Sequence, residues 1–227
     1  MDIIDFHAHI LPGLDHGCRD LETALSQLRL AAKNGTAAIV ATSHFEPHNE
    51  TVDAFLLRRA RAVETLIPHL SADMPRIYLG AEVLLCRGMQ NMPSLSRLAI
   101  EGTDVLLLER PFLPLDRGIA EAVHDIAAQG FTAVLAHIDR YSAAETRSIL
   151  YPNVYAQLNS VSMRGFFARK RAMPFLRDGK VVAFGSDLHG ASPRYNRFSD
   201  LPRLFPSAFA DVMANTAALL ENAIPIA

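Results

Sequence analysis

The sequence predicts an α/β fold in which a parallel sheet closes, or nearly closes, into a barrel. Two observations support this class. Seven short apolar runs alternate with helical patterns, and polar residues gather at the carboxyl ends of those runs. The chain has 227 residues, half of them hydrophobic, which is enough for one large core and is most simply one domain over 1–227.

The first half of the chain carries four of the predicted strands. Asp20 is expected to cap a helix that ends at Asn34-Gly35, because leucines and alanines recur there at helical spacing. A second helix is predicted over 52–66, and the segment 89–100 is expected to be irregular or a short helix. The four strands are predicted at 2–9, 36–43, 76–84 and 104–109.

The second half of the chain keeps the same alternation. A helix around Ile119, Val123 and Ile126 is expected to end at Gly130, a basic helix is predicted over 166–177, and a last helix over 207–222. The three remaining strands are predicted at 132–136, 155–159 and 181–184. No internal repeat or linker indicates a second domain.

Composition argues against several functional classes. The net charge is −2 without a basic block, so the sequence predicts neither nucleic-acid binding nor attachment to a membrane surface. We expect no signal peptide and no membrane insertion, because the start of the chain lacks a long apolar stretch. Cys18 and Cys86 lack CxxC spacing, which favours reduced thiols in a cytoplasmic protein.

The polar residues at the strand ends predict a metal site. His7 and His9 are two positions apart, so both imidazoles point from the same face of the first strand. Imidazole is a common ligand of divalent first-row metal ions, and carboxylates bridge such ions. In a barrel all these strand ends meet at one face. The candidates are His7, His9, His44, Glu82, Glu109, His137, Asp187 and His189.

Several motifs resemble those of the polymerase-and-histidinol-phosphatase (PHP) superfamily, and cover nearly the whole chain. They are Asp5-Phe6-His7-Ala8-His9, Ala41-Thr42-Ser43-His44, Gly80-Ala81-Glu82, Leu108-Glu109, Ala136-His137-Ile138-Asp139-Arg140-Tyr141 and Ser186-Asp187-Leu188-His189. The series looks most like the bacterial manganese-dependent protein-tyrosine phosphatases of capsule and exopolysaccharide systems. This resemblance implies a distorted seven-stranded, TIM-like (β/α) barrel.

The resemblance also implies three adjacent divalent metal ions, with Mn²⁺ expected first and iron or zinc as alternatives. The first ion would be held by His7, His9, Glu82 and Asp187, and the second by Glu82 as a bridge with Glu109 and His137. The third would be held by His44, His189 and a residue of the loop after strand one. In that loop the family usually has two aspartates before glycine, whereas this sequence has Asp15-His16-Gly17. We therefore expect His16 as the third-site ligand and leave Asp15 open as the alternative.

Carried over to this chain, the resemblance implies hydrolysis of phosphotyrosine on proteins by attack of a metal-bridging hydroxide on phosphorus. The expected substrate is a tyrosine kinase that controls polysaccharide synthesis. Arg140 and Arg194 match phosphate-facing arginines, and a planar guanidinium suits that task.

Other mechanisms fit the sequence less well. A cysteine-dependent phosphatase needs Arg six positions after Cys, and these positions hold Ala24 and Met92. An amidohydrolase commonly bridges its metals through a lysine, and no lysine follows a predicted strand here. Histidinol-phosphate phosphatase and a polymerase-type exonuclease remain alternatives within the superfamily, although the absence of a basic groove argues against the nuclease. A non-enzymatic module would have lost several candidate ligands, which this chain retains.

Overall fold

Parallel strands alternate with helices along the whole chain in the computed structural model of this protein. The model describes residues 2–191 and 193–226, without the side chains of positions 193, 194, 196 and 197. Its strands are β1 Ile3–Ala8, β2 Thr36–Ala41, β3 His44–Phe45, β4 Arg76–Leu79, β5 Glu82–Leu84, β6 Val105–Glu109, β7 Thr132–Leu135, β8 Val154–Asn159 and β9 Val181–Gly185. Its α-helices are α1 Leu21–Lys33, α2 Val52–Leu66, α3 Arg117–Ala128, α4 Ala143–Ser148, α5 Phe166–Arg177, α6 Leu201–Leu204 and α7 Phe209–Leu219.

The strands form two parallel sheets. One has the order β1-β2-β4 and the other has the order β3-β5-β6-β7-β8-β9. The α/β class with parallel pairing is therefore confirmed. The expected count of seven strands is not confirmed. The predicted strand 76–84 is split into β4 and β5, and the short strand β3 follows the predicted strand 36–43, giving nine strands in the described residues.

The break between β4 and β5 has a physical cause. The carbonyl oxygen of Gly80 accepts a hydrogen bond at 3.0 Å from Nη1 of the buried Arg59 on α2, so the break in the strand is supported from a helix. The chain stays beside its neighbours through the break, because the Gly80 N–H donates to the Ala41 oxygen and the Glu82 N–H to the Ser43 oxygen. Each strand direction thus continues across its break into the second sheet.

The last strand of the second sheet also meets the first strand of the other. The Asp187 N–H donates to the His7 oxygen at 2.7 Å, and the His9 N–H donates to the Leu188 oxygen at 3.2 Å. Buried Asp5 reinforces this junction, since its Oδ1 accepts from the Ser186 N–H at 2.8 Å. The contact sets the carboxyl ends of β1 and β9 side by side.

Helix ends follow the sequence signals closely. The Asp20 side chain accepts from the Thr23 N–H at 2.8 Å and caps α1, as predicted. Helices α2 and α5 have the predicted bounds, whereas α7 is shorter than the predicted helix 207–222. The segment 89–100 contains two short 3-10 helices, Met89–Asn91 and Leu95–Leu98, and α4 was not predicted. Among the described residues, no helix combines the length and the apolar character that a transmembrane span requires.

Candidate metal centre

The candidate ligands lie together at the carboxyl edge of the strands. His7 is near the end of β1, Glu109 ends β6, and His137 lies two residues after β7. His44 and Glu82 each lie three residues after the end of β2 and β4, where they open the short strands β3 and β5 and are paired in register with each other. Since all named strands run in parallel, their ends place these side chains at one edge of the fold.

Glu82 lies at the centre of the cluster. Its Oε2 is 3.2 Å from His7 Nε2, 3.2 Å from His9 Nε2 and 3.0 Å from His44 Nδ1. Its Oε1 is 2.8 Å from His137 Nε2. Four imidazoles from three different strands or strand ends therefore surround one buried carboxylate.

Three sets of potential ligand atoms each lie within 4.8 Å of one another. The first set is His7, His9, Glu82 and Asp187, the same four residues expected for the first ion. The other two differ from the expectation. One groups His44 with Glu82 and Glu109, whereas His137 had been expected there, and the other groups His9 with His44 and His189. His137 is still close to this set, because its Nε2 is 3.5 Å from Glu109 Oε1.

Sequence reasoning missed Gln157 and considered Asp15 only as an alternative metal ligand, yet both residues hold imidazoles in place from behind. Gln157 on β8 is buried, and its Oε1 is 3.2 Å from His7 Nδ1 and accepts from the His137 N–H at 2.7 Å. Asp15 Oδ2 is 2.8 Å from His9 Nδ1 and accepts from the His44 N–H at 3.0 Å. An imidazole that donates from Nδ1 presents the lone pair of Nε2, which is the tautomer that metal ligation requires.

The cluster fits divalent cations. His137 Nδ1 is buried and has no hydrogen-bond partner among the described residues. Nε2 of His7 and Nε2 of His9 face each other at 3.2 Å, and two lone pairs at that distance repel unless a cation lies between or beside them. Unpaired buried polar atoms are rare in native proteins, so the unpaired imidazole nitrogen and the close pair of imidazoles suit a bound metal ion.

The pKa values of the residues around Glu82 show that their surroundings favour positive charge. Burial alone would lower the pKa of His9, but hydrogen bonds with Asp15, Asp187 and Glu82 raise it well above its usual range. Burial also opposes protonation of His137, yet Glu109 and Glu82 raise its pKa to about 9. Burial raises the pKa of Glu82, but the charge of His7 and hydrogen bonds from His137 and His44 hold it well below its ordinary value. A field that favours imidazolium also favours a bound cation.

Two candidate ligands have a strained backbone. His137 has φ of 31° and Asp187 has φ of 50°, a left-handed region that costs most non-glycine residues free energy. Such strain persists where surrounding contacts enforce it, and it occurs often at functional sites. Both residues stand directly at the turn after a strand, where the strain directs the side chain into the cluster.

The loop after β1 places His16 and Asp15 differently. The His16 ring stacks on His44 with centroids 4.9 Å apart and is 4.7 Å from the His189 ring, so it reaches the rim of the cluster. It belongs to none of the three ligand sets. Asp15 lies behind His9 instead. Besides its contact with the His9 imidazole, its carboxylate accepts hydrogen bonds from the N–H groups of Gly17 and His44. The two residues thus occupy separate positions, His16 at the rim of the cluster and Asp15 behind His9.

Arg140 lies on the wall of the cluster. Its Nη2 forms an ion pair with Asp187 Oδ2, and its side chain is 36% exposed. Asn159 donates to the same Asp187 oxygen at 3.0 Å, so the carboxylate is held from two sides. Arg194 was the second arginine expected here, and its side chain lies outside the described residues.

A cavity of about 520 Å³ opens over the cluster. Its polar wall includes His44, Glu109, Arg140, Asp187 and His189. Both cysteines are free thiols, and burial raises the pKa of Cys18 to about 12, which makes it a poor nucleophile. The geometry thus provides a metal-ligand cluster, a cation and an open cavity, and no activated thiol among the described residues.

Comparison with known proteins agrees with this geometry. Residues 3–223 match the family model described as capsular polysaccharide synthesis, CpsB/CapC. The tyrosine-protein phosphatase CpsB of Streptococcus pneumoniae is 31% identical over 213 residues, with 85% of each chain covered. The tyrosine-protein phosphatase YwqE of Bacillus subtilis is 29% identical over 204 residues, which cover 85% of this chain and 79% of YwqE. The resemblance seen in the sequence motifs is confirmed.

Solved structures share the fold. A structure reported for YwqE of Bacillus subtilis and CpsB of Streptococcus pneumoniae, described as metal-dependent tyrosine phosphatases, matches with a TM-score of 0.77 at 22% identity. The match covers 98% of this chain and 96% of that one. A probable 2-pyrone-4,6-dicarboxylic acid hydrolase of Acinetobacter baumannii matches with a TM-score of 0.60 at 12% identity, over 97% of this chain and all of the other.

Proposed function

The chain belongs to the capsular polysaccharide synthesis family CpsB/CapC, and on that premise we propose that it is a metal-dependent protein-tyrosine phosphatase. The observation that carries the proposal is the convergence of His7, His9, His44 and His137 on the buried carboxylate of Glu82. The named relatives are tyrosine-protein phosphatases and cover most of this chain.

We assign the metal ligands from the geometry and the motifs together. His7, His9, Glu82 and Asp187 would hold one ion, since their ligand atoms lie within 4.8 Å of one another. Glu82, Glu109 and His137 would hold a second, which His44 also approaches. His44 and His189 would hold a third, with His16 completing it from the rim. Manganese is the proposed ion, with iron or zinc as alternatives, because a mixed imidazole and carboxylate set suits all three.

When bound, clustered divalent ions supply an activated water and neutralise the charge of phosphate oxygens. The side chains of the protein orient the metal ligands and bind the phosphate. Gln157 and Asp15 fix the tautomers of His7 and His9, and so keep the ligand nitrogens aimed at Glu82. Arg140 lines the cavity and can hold the non-bridging phosphate oxygens as negative charge shifts during transfer. Arg194 is proposed for the same task from its motif alone.

The choice of phosphotyrosine follows from the leaving group. A phenol has a pKa near 10, so it leaves as phenolate much more readily than an alkyl alcohol does. The site is rich in cations and metal ligands, and no motif supplies an evident strong general acid. Such a site favours aryl phosphates over alkyl phosphates.

The proposal extends to the natural substrate, the cellular compartment and the closure of the barrel. The natural substrate is a phosphorylated protein, and a bacterial tyrosine kinase that controls polysaccharide synthesis fits the family. The two free thiols suit the reducing cytoplasm. The chain forms one domain in which the two sheets make a single distorted barrel of seven strand directions, supported by the hydrogen bonds between β1 and the end of β9.

The experiment is metal analysis of the purified protein, followed by hydrolysis assays with added Mn²⁺ on phosphotyrosine peptide, phosphoserine peptide and histidinol phosphate. Glu82→Gln is the test variant, because it keeps the shape of the side chain and removes the central charge. We expect bound metal, a preference for phosphotyrosine, and loss of both metal and turnover in the variant. Preference for histidinol phosphate would replace this function with the small-molecule alternative, and full activity without metal would refute the proposal.

A further inference from the structure

Phe112 is a large apolar side chain that is exposed at the entrance to the metal centre. It lies on the loop after β6, three positions beyond Glu109, and 68% of it is accessible to solvent. It nevertheless lines the same cavity as Arg140, Asp187 and His189. A single exposed apolar residue is ordinary by itself, but this one is part of the wall of the proposed active-site cavity.

The ring is held in place from behind by a stack of side chains. The Tyr141 ring lies 5.7 Å from the Phe112 ring. The Arg110 guanidinium also contacts Tyr141, at 4.7 Å from the centre of its ring. Arg110 is buried and is paired with Glu145 at 3.1 Å. The Tyr141 hydroxyl donates to the Arg110 oxygen, which ties the two loops together. Phe112 therefore packs against Tyr141 on one side and is exposed to solvent on the other.

The same stack connects Phe112 to the metal centre. The Tyr141 ring is 5.9 Å from the ring of His137, which contacts Glu82 at 2.8 Å. Tyr141 also directly follows Arg140 in the chain. The position of Phe112 relative to the proposed phosphate site is thus set by packed side chains instead of by a loose loop.

Val161 adds a second apolar residue to the cavity lining. It lies on the loop after β8, is half-buried, and lines the cavity next to Ser162. Phe112 and Val161 come from loops that follow different strands, while the phosphate-binding groups lie at the strand ends. The lining of the cavity of about 520 Å³ therefore combines the polar groups proposed to bind phosphate with apolar side chains that include Phe112 and Val161.

We infer that Phe112 and Val161 form an aryl subsite that takes the phenyl ring of the substrate. The inference rests on the proposed phosphatase function, and adds that ring recognition is built into the cavity wall. With the phosphate held by Arg140 and the metal ligands, an aryl ring attached to it packs against Phe112. A short alkyl group leaves that ring exposed.

The expected size of the effect follows from the contact. A pair of aromatic rings gains enough binding free energy for a selectivity of about three- to tenfold. Removing the Phe112 ring should reduce selectivity for aryl over alkyl ligands by that factor. Binding of ligands that lack a ring should hardly change, because the phosphate-binding groups stay in place.

The test measures inhibition constants of phenylphosphonate and methylphosphonate, two stable phosphate mimics that differ in the ring. These are determined against hydrolysis of 4-nitrophenyl phosphate by the manganese-loaded protein, and the binding of both ligands is also measured by calorimetry. The variants are Phe112→Ala, Phe112→Tyr as the conservative change, and Leu113→Ala as the control. Leu113 is 71% exposed next to Phe112 and is not among the described residues that line this cavity.

We expect the ratio of the two inhibition constants to fall about three- to tenfold in Phe112→Ala, and to stay near the wild-type value in Phe112→Tyr and Leu113→Ala. An unchanged ratio in Phe112→Ala, or an equal loss in Leu113→Ala, would overturn the subsite. Failure of the function itself is a different result, in which the wild type with manganese hydrolyses neither aryl nor alkyl phosphate. Calorimetry still reports the ligand ratio in that case, so the two failures are distinguishable.

Discussion

Replacing Gln157 by methionine tests how much the metal centre depends on residues behind the ligands. Gln157 makes three contacts in the buried interior, at 3.2 Å to His7 Nδ1, 2.7 Å from the His137 N–H and 2.9 Å to Asn159 Oδ1. Methionine has a similar length and volume but offers no strong acceptor. The change therefore removes the hydrogen bonds to the His7 imidazole and to the His137 N–H, while every ligand side chain stays in the protein.

The magnitude follows from those contacts. Loss of a residue that orients a metal-bound histidine typically lowers metal affinity by about 10- to 100-fold. Since Gln157 supports both His7 and His137, we expect a loss toward the upper end, or about 2 to 3 kcal/mol of binding free energy. The unpaired His137 N–H should also reduce the free energy of unfolding by about 1 to 3 kcal/mol.

The assay is competition for Mn²⁺ against a fluorescent chelator, with stability measured by urea unfolding. Thr216→Val is the matched control, because Thr216 is equally buried and donates to the Val182 oxygen on β9 without contacting a candidate ligand. It should lower stability while leaving manganese affinity within about twofold of the wild type, since it removes only a hydrogen bond of ordinary strength. A manganese affinity in Gln157→Met that equals the wild type would refute the orienting role.

Three further predictions follow from the site. Arg140→Ala should lower kcat/KM on an aryl phosphate by about a hundredfold at full metal occupancy, with only partial rescue by Arg140→Lys, and near wild-type kinetics would remove Arg140 from phosphate binding. His16→Ala should raise the manganese concentration needed for activity while His16→Asp should be tolerated, and unchanged metal content and rate in the alanine variant would exclude His16 as a ligand. A chelator should abolish turnover while alkylation of Cys18 and Cys86 leaves most of it, because burial raises the pKa of both thiols; the reverse result would refute a metal mechanism.

Local sequence patterns predicted the helices well. The bounds of α2 and α5 agree with the predicted ones, because apolar residues repeat at helical spacing between clear start and stop signals. The break between β4 and β5 could not be predicted. It involves Arg59, which lies in a helix and reaches the Gly80 oxygen 21 positions further along the chain. Periodicity reports local preference and does not include such long-range hydrogen bonds.

The candidate ligands could be found from sequence because histidines and carboxylates follow apolar strands. Their supporting residues could not. Gln157 looks like an ordinary polar residue in a strand, although its position two residues before Asn159 places both on one face. The role of Asp15 depends on how the loop after β1 folds back on His9. Loop geometry of this kind is set by tertiary contacts, which a pattern in one sequence does not contain.

The proposed function requires that the residues around Glu82 hold divalent metal ions next to one another. Diffraction from crystals grown with Mn²⁺, recorded at the manganese absorption edge, tests this directly because the anomalous signal locates the ions. We expect adjacent anomalous peaks among His7, His9, Glu82 and Asp187 and toward Glu109 and His44, with Glu82 between two of them. An active protein with no anomalous peak in this cluster, or with manganese bound elsewhere, would contradict it.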